Sequence, residues 1–308
     1  LVKSSARVID ADGFGITNID TSQHIATYET AENLIADKTS FDRVRNENTY
    51  GIINIDDEIL RNHPFESPLI TFAIEDESAD YVGKNIVQNG ELLEFDVYSK
   101  TEDPVHIKIH IIGKHNVYNA LLVFAFAKKF GLSDEEIQRG FLNYESVGIR
   151  QYLRRVGGRL LYMDAYNASV ESTQLSIKAL EELIVPEGGR RIAVIGERKT
   201  SNEETYEINY NLGRELAKYK DIDEFIIVGE DTACITGKPE TIDPQNAKRY
   251  SHVVFDGARS AVEEGTKLSF ANNLKELAAM LNYQTRPGDA ILFKGRYHLS
   301  LWAIADMA

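Results

Sequence analysis

The sequence predicts an α/β protein built from two domains. Its length of 308 residues is enough for about two domains. In residues 143–308, short apolar runs rich in β-branched residues alternate with helical patterns, as in a mostly parallel sheet covered on both faces. Between residues 80 and 111 the pattern is period-two alternation, the mark of half-buried antiparallel strands.

Bulk properties narrow the class. The chain is 43% hydrophobic and 27% charged, an ordinary globular balance. A net charge of −14 argues against nucleic acid or an anionic membrane as the main partner. An acidic protein still binds phosphates where it concentrates N–H groups and Lys. The single Cys234 excludes an intrachain disulfide and fits a reducing cytoplasm. No signal peptide, membrane-length apolar run or internal repeat is evident. The first residue is Leu and the opening reads as the middle of a domain, so a fragment is expected.

Residues 13–19 read as a short buried strand followed by polar residues, with His24 soon after. Residues 30–41 have helical periodicity, and Lys38 lies one turn after Leu34. Taken singly, Lys38 reads as a solvated helix residue and His24 as a loop histidine. Residues 50–57 form a β-branched strand ending in Asp56 and Asp57, and residues 69–74 another strand. The alternating stretch then leads into Ile112-Gly113-Lys114-His115-Asn116-Val117-Tyr118-Asn119-Ala120. Here a turn permitted by Gly113 opens a helix whose first residues, His115, Asn116 and Asn119, can cap free N–H groups or hold a polar ligand. The apolar helix that follows is too short to span a membrane.

Ser133 with Asp134, Glu135 and Glu136 marks a helix start, and residues 143–148 read as a linker. A strand pair ends at residues 159–164, and Ser169 or Ser172 opens a helix over 173–184. Strands are expected at 191–196, 224–229, around His252-Val253-Val254-Phe255, and at 289–295. Helices are expected at 204–219, 274–283 and 299–307. Ligands of such sheets bind beyond the carboxyl ends of strands, which singles out residues 164–167, 196–199 and 294–296. An Asp at a strand end can accept from a ribose, and an Arg can clamp a phosphate or carboxylate.

Five segments, in order, resemble the Mur ligases, ATP-dependent amide-forming enzymes of peptidoglycan synthesis. They are Thr17-Asn18-Ile19 with His24, Lys38 fourteen residues on, Gly113 to Asn119, Asp164-Ala165-Tyr166-Asn167-Ala168, and Gly288-Asp289-Ala290-Ile291-Leu292-Phe293-Lys294-Gly295. The fourth and fifth resemble the branch that adds D-alanyl-D-alanine, and the chain as a whole resembles that branch or the one that forms the tripeptide. The resemblance implies an incomplete central nucleotide-binding domain at 1–142 and a Rossmann-like α/β C-terminal domain at 143–308. It implies ATP contacts from Asn18, His115, Asn116 and Asn119, the last on adenine, with Arg150 on the nucleotide and Asp164 on the ribose. Asn167, Lys294 and Arg296 would face the incoming amine or the acyl phosphate. His24 and Lys38 would be catalytic Mg²⁺ ligands, Lys38 after carbamylation by CO₂.

The activity so implied is a cytoplasmic, monomeric ATP-dependent carboxylate–amine ligase acting through an acyl phosphate. Its substrates would be a UDP-muramyl peptide or similar acid and an amino acid or dipeptide. A second reading is a ligase of the same fold for folate polyglutamylation or a cyanophycin-like polymer. A third is a non-catalytic, degenerate relative. It is supported by the absence of any G-x-x-x-x-G-K-[ST] phosphate loop and of an acid in residues 1–5. Ser169, Val170 and Arg296 also depart from the family pattern. Without that loop the 308 residues alone are expected to show little ligase turnover.

Overall fold

The computed structural model describes residues 11–21, 28–146, 150–197, 205–229, 250–296 and 301–306. The chain divides into two compact units. The first comprises residues 1–87, 92–110 and 114–144, and the second residues 88–91, 111–113 and 145–308. Among the described residues no helix is long and apolar enough to cross a membrane.

The first six strands, in spatial order β1 to β6, make one sheet. They are β1 (Gly13–Ile16), β2 (Tyr50–Asn54), β3 (Leu69–Ala73), β4 (Tyr81–Asn89), β5 (Leu92–Ser99) and β6 (Val105–Ile109). Strands β1 to β4 pair in parallel, whereas β5 and β6 are antiparallel, which is the expected alternating stretch. Along β6 the residues are buried and exposed in strict alternation. The expected helix at 30–41 is two helices, α1 (Ala31–Lys38) and α2 (Ser40–Arg43). They are divided where the Thr39 hydroxyl donates back to the Ile35 carbonyl. A short helix α3 (Glu58–Asn62) follows β2. Then come α4 (Asn116–Lys129) and α5 (Asp134–Leu142), the latter opened by a complete capping box between Ser133 and Glu136.

Asp42 of α2 fixes the approach to β3. Its carboxylate accepts from the Glu66 N–H at 2.8 Å and the Ser67 N–H at 2.9 Å. Burial pushes this carboxyl up, but the two N–H groups outweigh burial and hold it below the ordinary Asp value.

The second sheet has the order β11-β10-β9-β12-β8-β7. Its strands are β7 (Tyr152–Val156), β8 (Arg159–Asp164), β9 (Arg191–Gly196), β10 (Glu224–Val228), β11 (Lys267–Ala271) and β12 (Ala290–Lys294). All pairs are parallel except β7 with β8. The chain passes from β8 to β9 and outward to β11, and then returns to lay β12 between β8 and β9. Alternate residues point to opposite faces. Leu160, Tyr162, Ala193, Ile195 and Leu292 pack with α6 (Val170–Glu181), α7 (Thr205–Glu215) and α8 (Tyr250–Ala261). Leu161, Met163, Ile192, Val194 and Phe293 pack with α9 (Leu274–Gln284) and the 3₁₀ turn Leu301–Asp306. Ser169 caps α6 by accepting from the Ser172 N–H, which decides between the two expected starts.

Three expectations are corrected here. The segment around His252–Phe255 is not a strand but lies in α8. Ser251, Val253, Val254, Gly257 and Ala258 are its buried residues, and that spacing is one face of a helix. The small residues let α8 cross α7 at backbone contact. A Cβ on Gly257 would lie 2.1 Å from the Tyr210 carbonyl oxygen, and one on Gly213 would lie 2.0 Å from that of Val254. Second, one edge of the sheet is β11, where no strand is expected from the sequence, because Lys267 and Ser269 break the apolar pattern used to find strands. Third, the last expected helix is, among the described residues, a 3₁₀ turn.

Gly257→Ala is expected to destabilise the second unit by about 1–3 kcal/mol, through overpacking against backbone that has nowhere to move. Chemical denaturation checks this, and an unchanged midpoint would refute the close crossing. Asp42→Asn is expected to cost about 2 kcal/mol, the scale of hydrogen bonds to a charged group. Because the folded carboxyl titrates below its unfolded value, its contribution is complete above the ordinary Asp range near pH ~4 and fades as pH falls through the folded value. The variant should therefore lose the wild type's acid dependence in that window, as followed by thermal melts across pH.

Candidate functional site

Functional side chains gather at the carboxyl ends of parallel strands in each unit, where backbone groups run out of partners. In the first unit these ends carry Thr17, Asn18, Asn54, Asp56 and Asp57. Asn54 Nδ2 donates to the Thr17 carbonyl at 3.0 Å, tying the end of β2 to the end of β1. Asp57 caps α3 through the Leu60 N–H and also takes the Ile19 N–H, each at 2.9 Å. Asp56 accepts from the N–H groups of Ile74, Glu75 and Asp76 at 2.7–2.9 Å, and from the Tyr118 hydroxyl at 3.0 Å. Burial, followed by that contact with Asp56, pushes the Tyr118 phenol far above its ordinary value. The Asp-Asp pair is therefore spent on backbone. It shapes the loops after β2 and β3 and joins them to α4.

At the start of α4, Gly113 has φ +100°, a region that favours glycine. Gln88 holds the turn by accepting from the Gly113 N–H at 3.0 Å and donating to the Ile111 carbonyl at 3.2 Å. His115 is the N-cap residue, but its side chain makes no cap hydrogen bond. Its Nε2 lies 3.3 Å from Asn116 Nδ2, and Asn119 Nδ2 donates to Asn116 Oδ1 at 3.1 Å. Asn116 is buried and Asn119 exposed. The three predicted residues thus form one chain of contacts ending at an exposed amide. Asn119 Oδ1 accepts nothing from the described residues.

Other expected residues of this unit lie apart. Asn18 is exposed and its Oδ1 accepts from the Thr17 hydroxyl. Lys38 is exposed in the last turn of α1, where the helix's free carbonyls favour a cation. His24 lies outside the described residues. Among those residues, no group of three or more His, Cys, Asp or Glu is placed to hold a metal. The carboxylates of Asp56 and Asp57 do not fit Mg²⁺, because backbone N–H groups occupy them.

In the second unit, parallel pairing of β8 with β12 brings Asp164 level with Lys294. Lys294 Nζ reaches Asp164 Oδ2 at 2.5 Å, and the Ser176 hydroxyl of α6 donates to the same oxygen at 2.6 Å. The Lys294 side chain is 2% exposed and that of Asp164 12%. Burial pulls the Lys294 ammonium down from its ordinary value, and Asp164 opposes that shift. On the same face of β8, the Tyr162 hydroxyl is buried close to Ser176 and meets the geometry of a hydrogen bond with none of the described residues. Burial and the Asp164 charge push its phenol far up.

The loop after Asp164 is short. Ala165 and Ala168 are buried, while Tyr166 and Asn167 are exposed. The Arg150 guanidinium lies 3.6 Å over the Tyr166 ring, a cation–π stack that presents a planar cation to solvent. Asn167 Oδ1 accepts from the Ala168 N–H, and Arg296 is half-buried two residues past Lys294. In the 196–199 segment, Glu197 is buried and accepts the Ser251 N–H at the start of α8; Arg198 and Lys199 lie outside the described residues.

Sequence reasoning missed Asn54, Gln88, Tyr118, Tyr162 and Ser176. Only Ser176 left a local trace, lying one helical turn after Ser172. Asp56→Ala is expected to cost about 3 kcal/mol, because it strands several donors at once. Hydrogen exchange should show protection lost at residues 74–76; protection retained there would remove Asp56 as their anchor.

Comparison with known proteins follows the same division. Residues 4–127 match the family model described as the Mur ligase middle domain. Residues 150–297 match that of the Mur ligase, glutamate ligase domain. Among solved structures, MurF from Acinetobacter baumannii superposes with a TM-score of 0.76 at 20% identity, covering 99% of this chain and 61% of its own. MurF from Thermotoga maritima in complex with ADP gives 0.76 at 20%, covering 99% and 63%. The UDP-N-acetylmuramate-alanine ligase MurC of Thermotoga maritima gives 0.72 at 15%, covering 99% and 60%. At these identities the likeness shows the fold. The chain spans about three fifths of the length of those proteins.

Proposed function

Because the chain belongs to the Mur ligase family, we propose that it is part of an ATP-dependent carboxylate–amine ligase of peptidoglycan precursor synthesis, working in the cytoplasm as a monomer. The observation that carries this reading is the match of two family domains, in order, over residues 4–127 and 150–297. The likeness to two MurF structures favours a muramyl peptide as the acid and a dipeptide as the amine.

In each unit taken by itself, the residues present fit part of a nucleotide. Asn119 offers an exposed amide with an open carbonyl oxygen, suited to the amino group of adenine. Asp164 offers a carboxylate oxygen to a ribose hydroxyl. Arg150, held flat by Tyr166, offers a two-point clamp for a phosphate. ATP, when bound, supplies the phosphoryl group that activates a carboxylate for attack by an amine. The chain's own part is to hold the nucleotide and to orient the reacting groups. Asn167 and Arg296, both near strand ends of the second unit, are assigned to the incoming amine; Lys294, expected beside them, is instead buried against Asp164. Asp56 and Asp57 do not serve Mg²⁺, since backbone N–H groups hold their carboxylates. His24 and Lys38 remain its proposed ligands, with a carbamylated Lys38 supplying the oxygen donor.

The test is phosphate release by the protein purified with its native N-terminus, whose intact mass shows whether any residues precede Leu1. Release that requires both UDP-muramyl tripeptide and D-alanyl-D-alanine is the expected result. Release with folate and glutamate instead would move the chain to the second class of ligase. Binding of ADP with no release under any substrate pair would mark it as a non-catalytic relative.

A further inference from the structure

We propose that Ser176 and Lys294 are positioning residues that act through Asp164, and that neither touches the ligand. The inference rests on Asp164 as the ribose acceptor and concerns how that acceptor is prepared. Both side chains converge on one oxygen, Oδ2, at 2.6 and 2.5 Å. Oδ1 accepts nothing from the described residues. The carboxylate is therefore pinned at one end and presented at the other.

Burial orders the three groups from inside outward. Lys294 is 2% exposed and Asp164 12%. Ser176 is buried on α6. An arriving hydroxyl meets the carboxylate, and the ammonium stays sealed behind it. The Ser176 hydroxyl has one proton, and among the described residues its hydrogen-bond acceptors are Asp164 Oδ2 at 2.6 Å and the Ser172 carbonyl at 2.7 Å. The shorter, charge-assisted contact takes it.

Charge gives Lys294 a second use. In a chain of net charge −14, an unpaired carboxylate near a polyphosphate would repel it. Paired with Lys294, Asp164 keeps its acceptor strength while the pair carries no net charge. A sugar hydroxyl can then be held beside phosphates.

The experiment compares ADP with 2′,3′-dideoxy-ADP by calorimetry on the wild type, Ser176→Ala and Lys294→Met, with thermal melts as a check on folding. The wild type should prefer ADP by about 10-fold, the worth of a good hydrogen bond to a charged acceptor. Ser176→Ala should bring that preference down to about 2–3-fold and leave the dideoxy affinity unchanged. Lys294→Met, if folded, should weaken both ligands and abolish the preference. If Ser176→Ala weakens both ligands equally, or leaves the preference intact, Ser176 serves only the fold and the proposal is overturned. If the wild type itself does not distinguish the two sugars, the ribose reading of Asp164 fails, and the proposal fails with it.

Discussion

The second sheet depends on one insertion, that of β12 between β8 and β9. At its start Asp289 is fully buried, and Arg190, from just before β9, grips it through two nitrogens and its own backbone N–H. At its end Lys294 meets Asp164 of β8. One ion pair therefore ties β12 to each neighbour, at opposite ends. Removing one partner of either pair would leave a buried charge unmatched, which costs more than the pair contributes. The two pairs also divide a single motif. In Gly288-Asp289-Ala290-Ile291-Leu292-Phe293-Lys294-Gly295 the Asp serves the fold and the Lys the site, five residues apart along a strand.

The first unit obtains order by a different route. Three of its carboxylates, one on α2 and two at the end of β2, face backbone N–H groups. Asp42, Asp56 and Asp57 together accept seven such hydrogen bonds from loops and helix starts. Anionic side chains suit these places because N–H groups at turns and helix starts are otherwise unsatisfied. A surplus of acids in the sequence is thus partly structural. It need not report on the ligand.

What was legible in the sequence was local. The start of α4 showed itself because a glycine, polar residues and an apolar run follow one another in the order a strand–turn–helix junction requires. The ends of β8 and β12 showed themselves because strands buried on both faces read as unbroken apolar runs that stop at Asp164 and Lys294. What was illegible depended on partners far away in sequence. Val253-Val254 looked like a strand, since β-branched pairs favour strands, and only the fit of Gly257 against α7 makes the segment helical. Nothing near Ser176 announced that it would share an oxygen with Lys294, and nothing near Asp56 announced three donors from beyond β3. The two aspartates stood out as acids after a strand, but the identity of their acceptor sites lay in the fold.

The late return of β12 sets a timetable for folding. Lys294 and Asp164 are 130 residues apart in sequence, yet they are neighbours in the middle of a sheet. Until that distant segment has left the ribosome, β8 and β9 have no partner between them. Each then presents an open strand edge, the kind of surface that pairs with other chains. The second unit should therefore fold slowly, and as a whole. While it is being made it would rely on holding chaperones more than the first unit does, whose parallel strands pair with the next in sequence.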